Sequence, residues 1–207
     1  MGEDLSNGWN AVADAFAARR AAHPIGRSVV RDWAASLPAG GSIVYVGAGS
    51  GEPLAAALVA DGFGLWAIDA APAMVAAFRR HLPDVPVRCE AAERSDFFGR
   101  SFDGALAVGL VFLLPADTQR VLIPALARAL KPGGRLLFSA PAPSCVWDDL
   151  MTGRRSRSLG AAAYGRLLAE AGLDLVATPV DEGGNHYFAA RKGWGRAGCR
   201  LGAAAGV

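Results

Sequence analysis

A glycine-rich turn wedged between a β-branched strand and a helix start constrains this chain more than any other feature. Residues 43–53 read Ile-Val-Tyr-Val-Gly-Ala-Gly-Ser-Gly-Glu-Pro, which places G-x-G-x-G (Gly47, Gly49, Gly51) directly after an apolar run. Glycines at such a point allow tight turning and let a ligand approach bare backbone, although an isolated loop of this kind also serves as a plain turn. Two phosphate-binding fingerprints do not fit it. The dinucleotide pattern G-x-G-x-x-G needs glycine at 52 or 54, and those positions hold Glu52 and Leu54. A pyrophosphate at the helix N-terminus would also meet the Glu52 carboxylate, which disfavours a nicotinamide-dependent oxidoreductase. The loop G-x-x-x-x-G-K-[ST] is absent from the chain. A ligand without phosphates meets no such conflict.

From residue 42 to residue 191 short apolar runs alternate with helical patterns, the signature of an α/β layer fold. The strands are predicted at Ser42 to Val46, Phe63 to Ile68, Val85 to Cys89, Gly104 to Val108, Arg135 to Ala140, Leu173 to Val180 and Asn185 to Ala190. Crossovers separate the first five, so these pair in parallel, while Asp181-Glu182-Gly183-Gly184 reads as a hairpin that makes the last pair antiparallel. The expected sheet is doubly wound and seven-stranded in the order 3-2-1-4-5-7-6, with strand 7 antiparallel. Pro72 opens a helix with Met74, Phe78 and Leu82 on one stripe. Asp117 is predicted to cap the next helix, with Pro124 kinking or dividing it, and Ser158 to cap a later one that ends at Gly172. Ahead of the sheet, Trp9, Val12, Ala13, Phe16 and Ala17 form one amphipathic stripe, and Pro24 opens a second helix with Ile25, Val29 and Trp33 in line. The reading is one domain over 1–191, with residues 1–39 a helical cover and 40–191 the α/β core. Residues 192–207, rich in Gly and Ala, read as a mobile tail.

Asp69 closes the second predicted strand, twenty residues beyond Gly49. Open α/β sheets bind ligands at the carboxyl ends of their strands, where one carboxylate can accept both hydroxyls of a ribose. The other reading of Asp69 is a cap on the helix at Ala71-Pro72.

At this point the sequence resembles the class I S-adenosylmethionine-dependent methyltransferases, in particular the small stand-alone type 11 and ubiquinone-biosynthesis-like domains. Val44 to Gly51 is similar to that family's first motif, and Ala67 to Met74 to its second. Cys89-Glu90-Ala91-Ala92-Glu93 is similar to the segment after strand three, Ser101 to Ala105 to the entry of strand four, and Leu130 to Arg135 to the turn before strand five. The resemblance covers roughly residues 40 to 190 in order. It implies S-adenosyl-L-methionine as cofactor, with the methionine part by Gly47 and Gly49, the ribose on Asp69 and the adenine near Met74, Glu90 and Ala91. Ala48, Gly51, Ala70 and Gly109 complete the implied cofactor contacts. Met74 also fits a pure core role, and Glu90 a solvated loop charge. Tyr45 stands where the family usually carries an acidic residue.

Methyl transfer from a sulfonium is an in-line displacement on an activated carbon, so the protein has mainly to align the acceptor and exclude water. The sequence holds no G-x-S-x-G elbow and no H-E-x-x-H helix, which argues against common hydrolase types. The apolar strand-four exit, Gly109 to Leu114, lacks the Asn-Pro-Pro-Tyr type segment of nucleic-acid and protein amide N-methyltransferases, and so favours a small-molecule acceptor. Trp9, Phe112, Trp147, Arg154 and Tyr164 are the candidate acceptor-side residues. Phe112 equally fits the core, and the arginines of the long loop from Pro141 to Arg157 fit either an anion clamp or a solvated face. His186, opening the last strand, is the candidate general base for a hydroxyl acceptor, with a structural histidine as its other reading. No metal site is expected. A non-catalytic S-adenosylmethionine-binding or regulatory protein is the alternative from another class.

Composition sets the outer bounds. Of 207 residues, 52% are apolar and 19% charged, enough for a full core and inconsistent with a disordered chain. A net charge of +2 gives no general reason to expect a polyanionic partner, so nucleic acid is disfavoured, with the arginine loop the sole support for an RNA substrate. The longest apolar run, Ala105 to Leu114, is about half the ~20 residues that span a bilayer. The acidic N-terminus does not read as a secretory signal, and Cys89, Cys145 and Cys199 do not form a disulfide frame, so a cytoplasmic protein is expected. The stripe of Trp9, Val12 and Phe16 suits either a cover over the cofactor or a homodimer interface.

Overall fold

The computed structural model describes residues 4–22 and 25–194. A short 3₁₀ turn, Trp9–Val12, leads into α1 (Ala13–Ala22), and α2 (Arg27–Ala34) follows. The strand-helix alternation then runs β1 (Ser42–Val46), α3 (Leu54–Ala60), β2 (Gly64–Asp69), α4 (Pro72–His81), β3 (Val87–Cys89), β4 (Phe102–Ala107), α5 (Ala116–Ala129) and β5 (Leu130–Ser139). A hairpin of β6 (Cys145–Asp148) and β7 (Arg155–Ser158) interrupts it before α6 (Ala161–Glu170), β8 (Leu173–Ala177) and β9 (Tyr187–Lys192). The main sheet has seven strands in the order β3-β2-β1-β4-β5-β9-β8. With the inserted hairpin set aside, this is the predicted order 3-2-1-4-5-7-6. β1 pairs in parallel with β2 and β4, whereas β9 runs antiparallel to both β5 and β8.

Alternation along each strand sorts the core into two layers. Ile43 and Tyr45 of β1, Leu106 of β4, Leu137 of β5 and Tyr187 of β9 join Trp33 of α2, Leu54 and Leu58 of α3 and Phe78 of α4. Val44, Val46, Ala105, Phe138 and Phe188 face the opposite way, onto Leu122 and Leu126 of α5 and Tyr164 and Leu168 of α6. Because consecutive strand side chains point to opposite faces, a β1 residue's number fixes which layer it enters. Phe138 stacks on Phe188 with centroids 5.0 Å apart, and Tyr164 meets Phe138 edge-on at 5.3 Å.

Several local expectations are corrected. The segment from Pro141 to Arg157, read as a loop, contains a two-stranded antiparallel sheet pairing Cys145 with Ser158 through Asp148 with Arg155. Alternating small, apolar and charged residues there gave no period strong enough to mark a strand. β5 begins at Leu130 rather than Arg135, because Phe102 pairs with Leu130 ahead of a register shift that absorbs the glycine turn. The N-cap positions of α5 and α6 are Pro115 and Gly160, not Asp117 and Ser158. Asp117 lies in the first turn of α5, while the Ser158 hydroxyl donates to the Pro141 carbonyl and accepts from Gly160 N. Pro124 does not divide α5, which runs unbroken over 14 residues. The predicted tail begins too early: Lys192 closes β9 and its ammonium donates to the carbonyls of Ala127 and Leu130, and a Cβ on Gly133 would lie 2.7 Å from the Trp194 ring. Residues 195–207 lie outside the described residues, as does Pro24, the predicted start of the second helix. Among the described residues no helix is long and apolar enough to cross a membrane.

Candidate functional site

Two cavities open at the carboxyl ends of the central strands. The bend from β1 toward α3 separates them. Gly47 and Gly49 sit at φ +67° and +58°, the left-handed region that side-chain-bearing residues avoid. A Cβ on Gly47 would lie 2.8 Å from Leu110 Cβ, so the strand-four exit packs against bare backbone there. Nothing comes within 3.9 Å of a Cβ on Gly49, whose nearest neighbours are Phe16 and the Met74 sulfur. A side chain at Gly49 would thus find ordinary contact distances, and the positive φ rather than crowding is what favours glycine there. Gly51 is bare for another reason: a Cβ would lie 3.0 Å from the Phe78 ring, and Gly51 lines neither cavity.

The first cavity is a largely apolar slot with a carboxylate on its floor. Asp69, at the end of β2, accepts from Gly49 N at 2.8 Å through one oxygen and from Ala71 N at 2.9 Å through the other. It thus holds the turn ahead of α4 and ties down the glycine bend at once, without capping the helix itself, and about half of its four lone-pair positions stay free beside the cavity it lines. Burial pushes its carboxyl above the ordinary carboxylate value, and the two backbone N–H groups offset only part of this. Ala70 and Met74 form one wall, Glu90 and Ala91 the end, and Leu110 and Leu113 the opposite wall. Met74 is buried in a small cluster with Ala13 and Ala71 and also lines the cavity. Glu90 accepts from the Ser95 hydroxyl at 2.6 Å through one oxygen.

The N-terminal segment roofs this slot. Trp9 meets Phe16 edge-on at 4.9 Å, and both line the cavity. The Asn7 amide donates to the Leu113 carbonyl at 2.9 Å, latching the segment across to the strand-four exit, and Asn10 accepts from Ala73 N. Asp4 holds the turn below by accepting from Ser6 N, the Ser6 hydroxyl and Gly8 N. Sequence reasoning passed over this latch, although Asp4-x-Ser6-Asn7-Gly8 is turn chemistry that pattern analysis can detect.

The second cavity is polar and is assembled from distant segments. Arg20 of α1, Tyr45 of β1, Ser139 of β5 and Asp181, Asn185 and Tyr187 around the last hairpin line it, with Phe112 at one side. Asp181 accepts from Gly183 N, Asn185 N, the Asn185 amide and, at 2.8 Å, the Tyr187 hydroxyl. Burial works to raise its carboxyl, but the Asn185, Tyr187 and Gly183 donors outweigh burial and hold it below the ordinary value. Burial drives the Tyr45 and Tyr187 phenols well above theirs, with Asp181 adding to the effect on Tyr187, so both stay neutral at physiological pH. Phe16, Gly47, Gly49, Val108 and Gly109 line both cavities and form the passage between them.

The other sequence candidates fall in varied places. Ala48 lines the second cavity, Ala70 the first and Gly109 both. Trp147 lines neither but backs Phe112, with ring centroids 5.6 Å apart. Arg154 lies outside both, its side chain against the N-terminal segment at Gly8. Tyr164 is corrected to a core residue: it is fully buried and its hydroxyl donates to Gln119 at 2.7 Å, because it and Leu168 share the inward stripe of α6. His186 is likewise off the site. Asn185 and Tyr187 line the second cavity, and the residue between them takes the opposite face of the sheet, bridging to Val180 instead. Among the described residues no cluster of three His, Cys, Asp or Glu side chains is arranged to hold a metal ion.

Comparison with known proteins follows the same boundaries. Residues 43–134 match the family model described as a methyltransferase domain. No curated protein matches the chain significantly in sequence. Among solved structures, a 1,6-didemethyltoxoflavin-N1-methyltransferase of Burkholderia thailandensis, crystallised with 1,6-didemethyltoxoflavin and S-adenosylhomocysteine, is 21% identical with a TM-score of 0.66, covering 93% of this chain and 92% of that one. The CcbJ methyltransferase of Streptomyces caelestis is 16% identical with a TM-score of 0.71 over 92% and 98% of the two chains. An S-adenosylmethionine-bound amino pentose methyltransferase of Micromonospora echinaspora is 19% identical with a TM-score of 0.67 over 86% and 96%. At such identities the likeness is one of fold: the chain has the Rossmann-like fold of the class I S-adenosylmethionine-dependent methyltransferases, and residues 43–134, a little under half of it, match the methyltransferase-domain model.

Proposed function

We propose that this protein is a methyltransferase that takes its methyl group from S-adenosyl-L-methionine and delivers it to a small-molecule acceptor. The observation that carries the reading is the pair of cavities sharing bare glycine backbone: a largely apolar slot that holds Asp69 and Glu90 on one side, a more polar chamber on the other. The residues fit the cofactor. A slot walled by Ala70, Met74, Leu110 and Leu113 suits a flat purine, the free lone pairs of Asp69 suit ribose hydroxyls, and the unused Glu90 oxygen suits an exocyclic amino group. When bound, the cofactor supplies an electrophilic methyl carbon on a sulfonium.

The chain's own part in the reaction is alignment and exclusion of water. The passage residues Phe16, Gly47, Gly49, Val108 and Gly109 carry no ionisable side chain, so they shape and dry the path without taking a proton. Phe112, braced by Trp147, gives an apolar or aromatic acceptor a flat surface beside that passage. The bound didemethyltoxoflavin of the Burkholderia thailandensis enzyme supports an acceptor of this size. Calorimetry with S-adenosylhomocysteine, NAD and NADP, followed by transfer of labelled methyl from the cofactor into a metabolite extract, tests the proposal. Binding of S-adenosylhomocysteine together with a labelled small-molecule product supports it. Binding of a dinucleotide alone overturns it, and tight S-adenosylhomocysteine binding with no labelled product in any fraction assigns a non-catalytic binding role.

A further inference from the structure

Alignment of an acceptor beside Phe112 leaves one group in the wall of the second cavity without a use. Ser139 closes β5, on the same face as Leu137 and directly across from Tyr187 of β9, and it lines the cavity. The residue is 4% exposed, and its Oγ accepts from Gly109 N at 2.8 Å. Its own proton donates to no described residue. The neighbours around the last hairpin are spent by comparison, since the Asn185 amide and the Tyr187 hydroxyl both donate to Asp181. A buried donor left unused costs stability until something accepts from it, and a hydroxyl oxygen that already holds an N–H donates the more strongly.

Space for a partner lies next to this hydroxyl. Gly109 sits at φ +74°, and a Cβ there would meet nothing within 4 Å. Gly109 also belongs to the passage between the two cavities, so its tie to Ser139 fixes the hydroxyl oxygen at the mouth of that passage, in the chamber that Phe112 lines. Resting on the function proposed above, we propose that Ser139 selects the acceptor: its hydroxyl donates to a carbonyl oxygen or ring nitrogen on the edge of a planar molecule whose face lies on Phe112. The acceptor class is then a heteroaromatic or conjugated carbonyl compound rather than a plain hydrocarbon ring. The hydrogen bond sets which atom of that molecule turns toward the passage. Ser139 takes no proton from the acceptor, and its contribution is orientation.

Quinoline and naphthalene test this, because they match in size and shape and differ by one ring-nitrogen lone pair. Their affinities are measured by NMR titration at neutral pH, with S-adenosylhomocysteine bound, for the wild type, Ser139→Ala, Ser139→Cys and Ser139→Thr. Ser139→Ala is expected to lower the quinoline-to-naphthalene affinity ratio about three- to tenfold, and Ser139→Thr to keep it within about twofold of wild type. The ratio isolates donation, since loss of the Gly109 contact loosens the site for both probes alike. Should Ser139→Ala not fold, Ser139→Cys, whose thiol donates only weakly, is expected to show the same fall. An unchanged ratio in the folded Ala or Cys variant overturns the proposal, as does an equal fall in Ser139→Thr. A wild type that binds S-adenosylhomocysteine but neither probe overturns the acceptor class and leaves the cofactor reading intact. A wild type that does not bind S-adenosylhomocysteine overturns the function on which both rest.

Discussion

Asp69 and Asp181 are both sequestered carboxylates at the carboxyl edge of the sheet, one in the wall of each cavity, and they are built in opposite ways. Asp69 accepts one backbone N–H on each oxygen and turns its remaining lone pairs toward space, so its charge is under-compensated and its carboxyl rises above the usual value. Asp181 is wrapped by the hairpin it staples, and its donors more than offset burial. A carboxylate left partly unsatisfied has capacity for a ligand, whereas one fully satisfied holds structure and orients the hydroxyl beside it. Asp69 is also the more deeply desolvated of the two, so burial as well as the number of donors around each group sets the opposite directions.

Substitutions at the two sites should therefore separate stability from binding. Asp181→Ala is expected to cost roughly 3 kcal/mol in denaturant unfolding, since it leaves the Tyr187 hydroxyl and hairpin N–H groups without their acceptor. Asp69→Ala should weaken S-adenosylhomocysteine well over tenfold by calorimetry while costing only about 1 kcal/mol of stability; unchanged affinity would end the comparison. The pH dependence should sharpen it. Asp181 titrates below the ordinary 3.8 when folded, so its stabilisation relative to Asp181→Asn is present above that pH and is lost as pH falls through the folded value. Asp69 titrates above 3.8 when folded, so stability relative to Asp69→Asn declines as pH rises through its folded value. Unfolding midpoints across pH 3 to 7, measured on the variants side by side (about two points per pH unit), should show slopes of opposite sign. The smallest effect is expected at His186→Ala, whose side chain takes the face away from the second cavity: turnover should stay within about twofold, and a collapse of turnover would return it to the chemistry.

The two cavities also differ in how far they can be read from the chain. The slot's key residues sit at strand ends in a fixed order, with Gly47 and Gly49 after β1, Asp69 after β2, Glu90 and Ala91 after β3 and Gly109 after β4. Sheet order and strand direction bring such positions together, and hydrophobic periodicity reports both. The polar chamber has no such rule. Arg20 comes from a helix whose docking is a tertiary matter, and Asp181 and Tyr187 act together only because a hairpin folds back six residues later. His186 drew attention and its neighbour Tyr187 did not, yet one step along a strand reverses the face a side chain takes. Tyr164, expected as an acceptor contact, lies in the core because the packing of α6 turns its face inward.

Residue order alone was enough to determine the doubly wound sheet, its antiparallel closing strand and the glycine-and-carboxylate slot, because repeating periods and strand-end motifs are local properties that survive without coordinates. Only the tertiary structure decided that the stretch after β5 forms a second small sheet, that Asp4 and Asn7 latch the roof, and that Arg20, Tyr45 and Tyr187 meet in one chamber. Those outcomes depend on helix docking and on donor counts around each buried group, quantities that arise when distant segments meet and that leave no period in the chain.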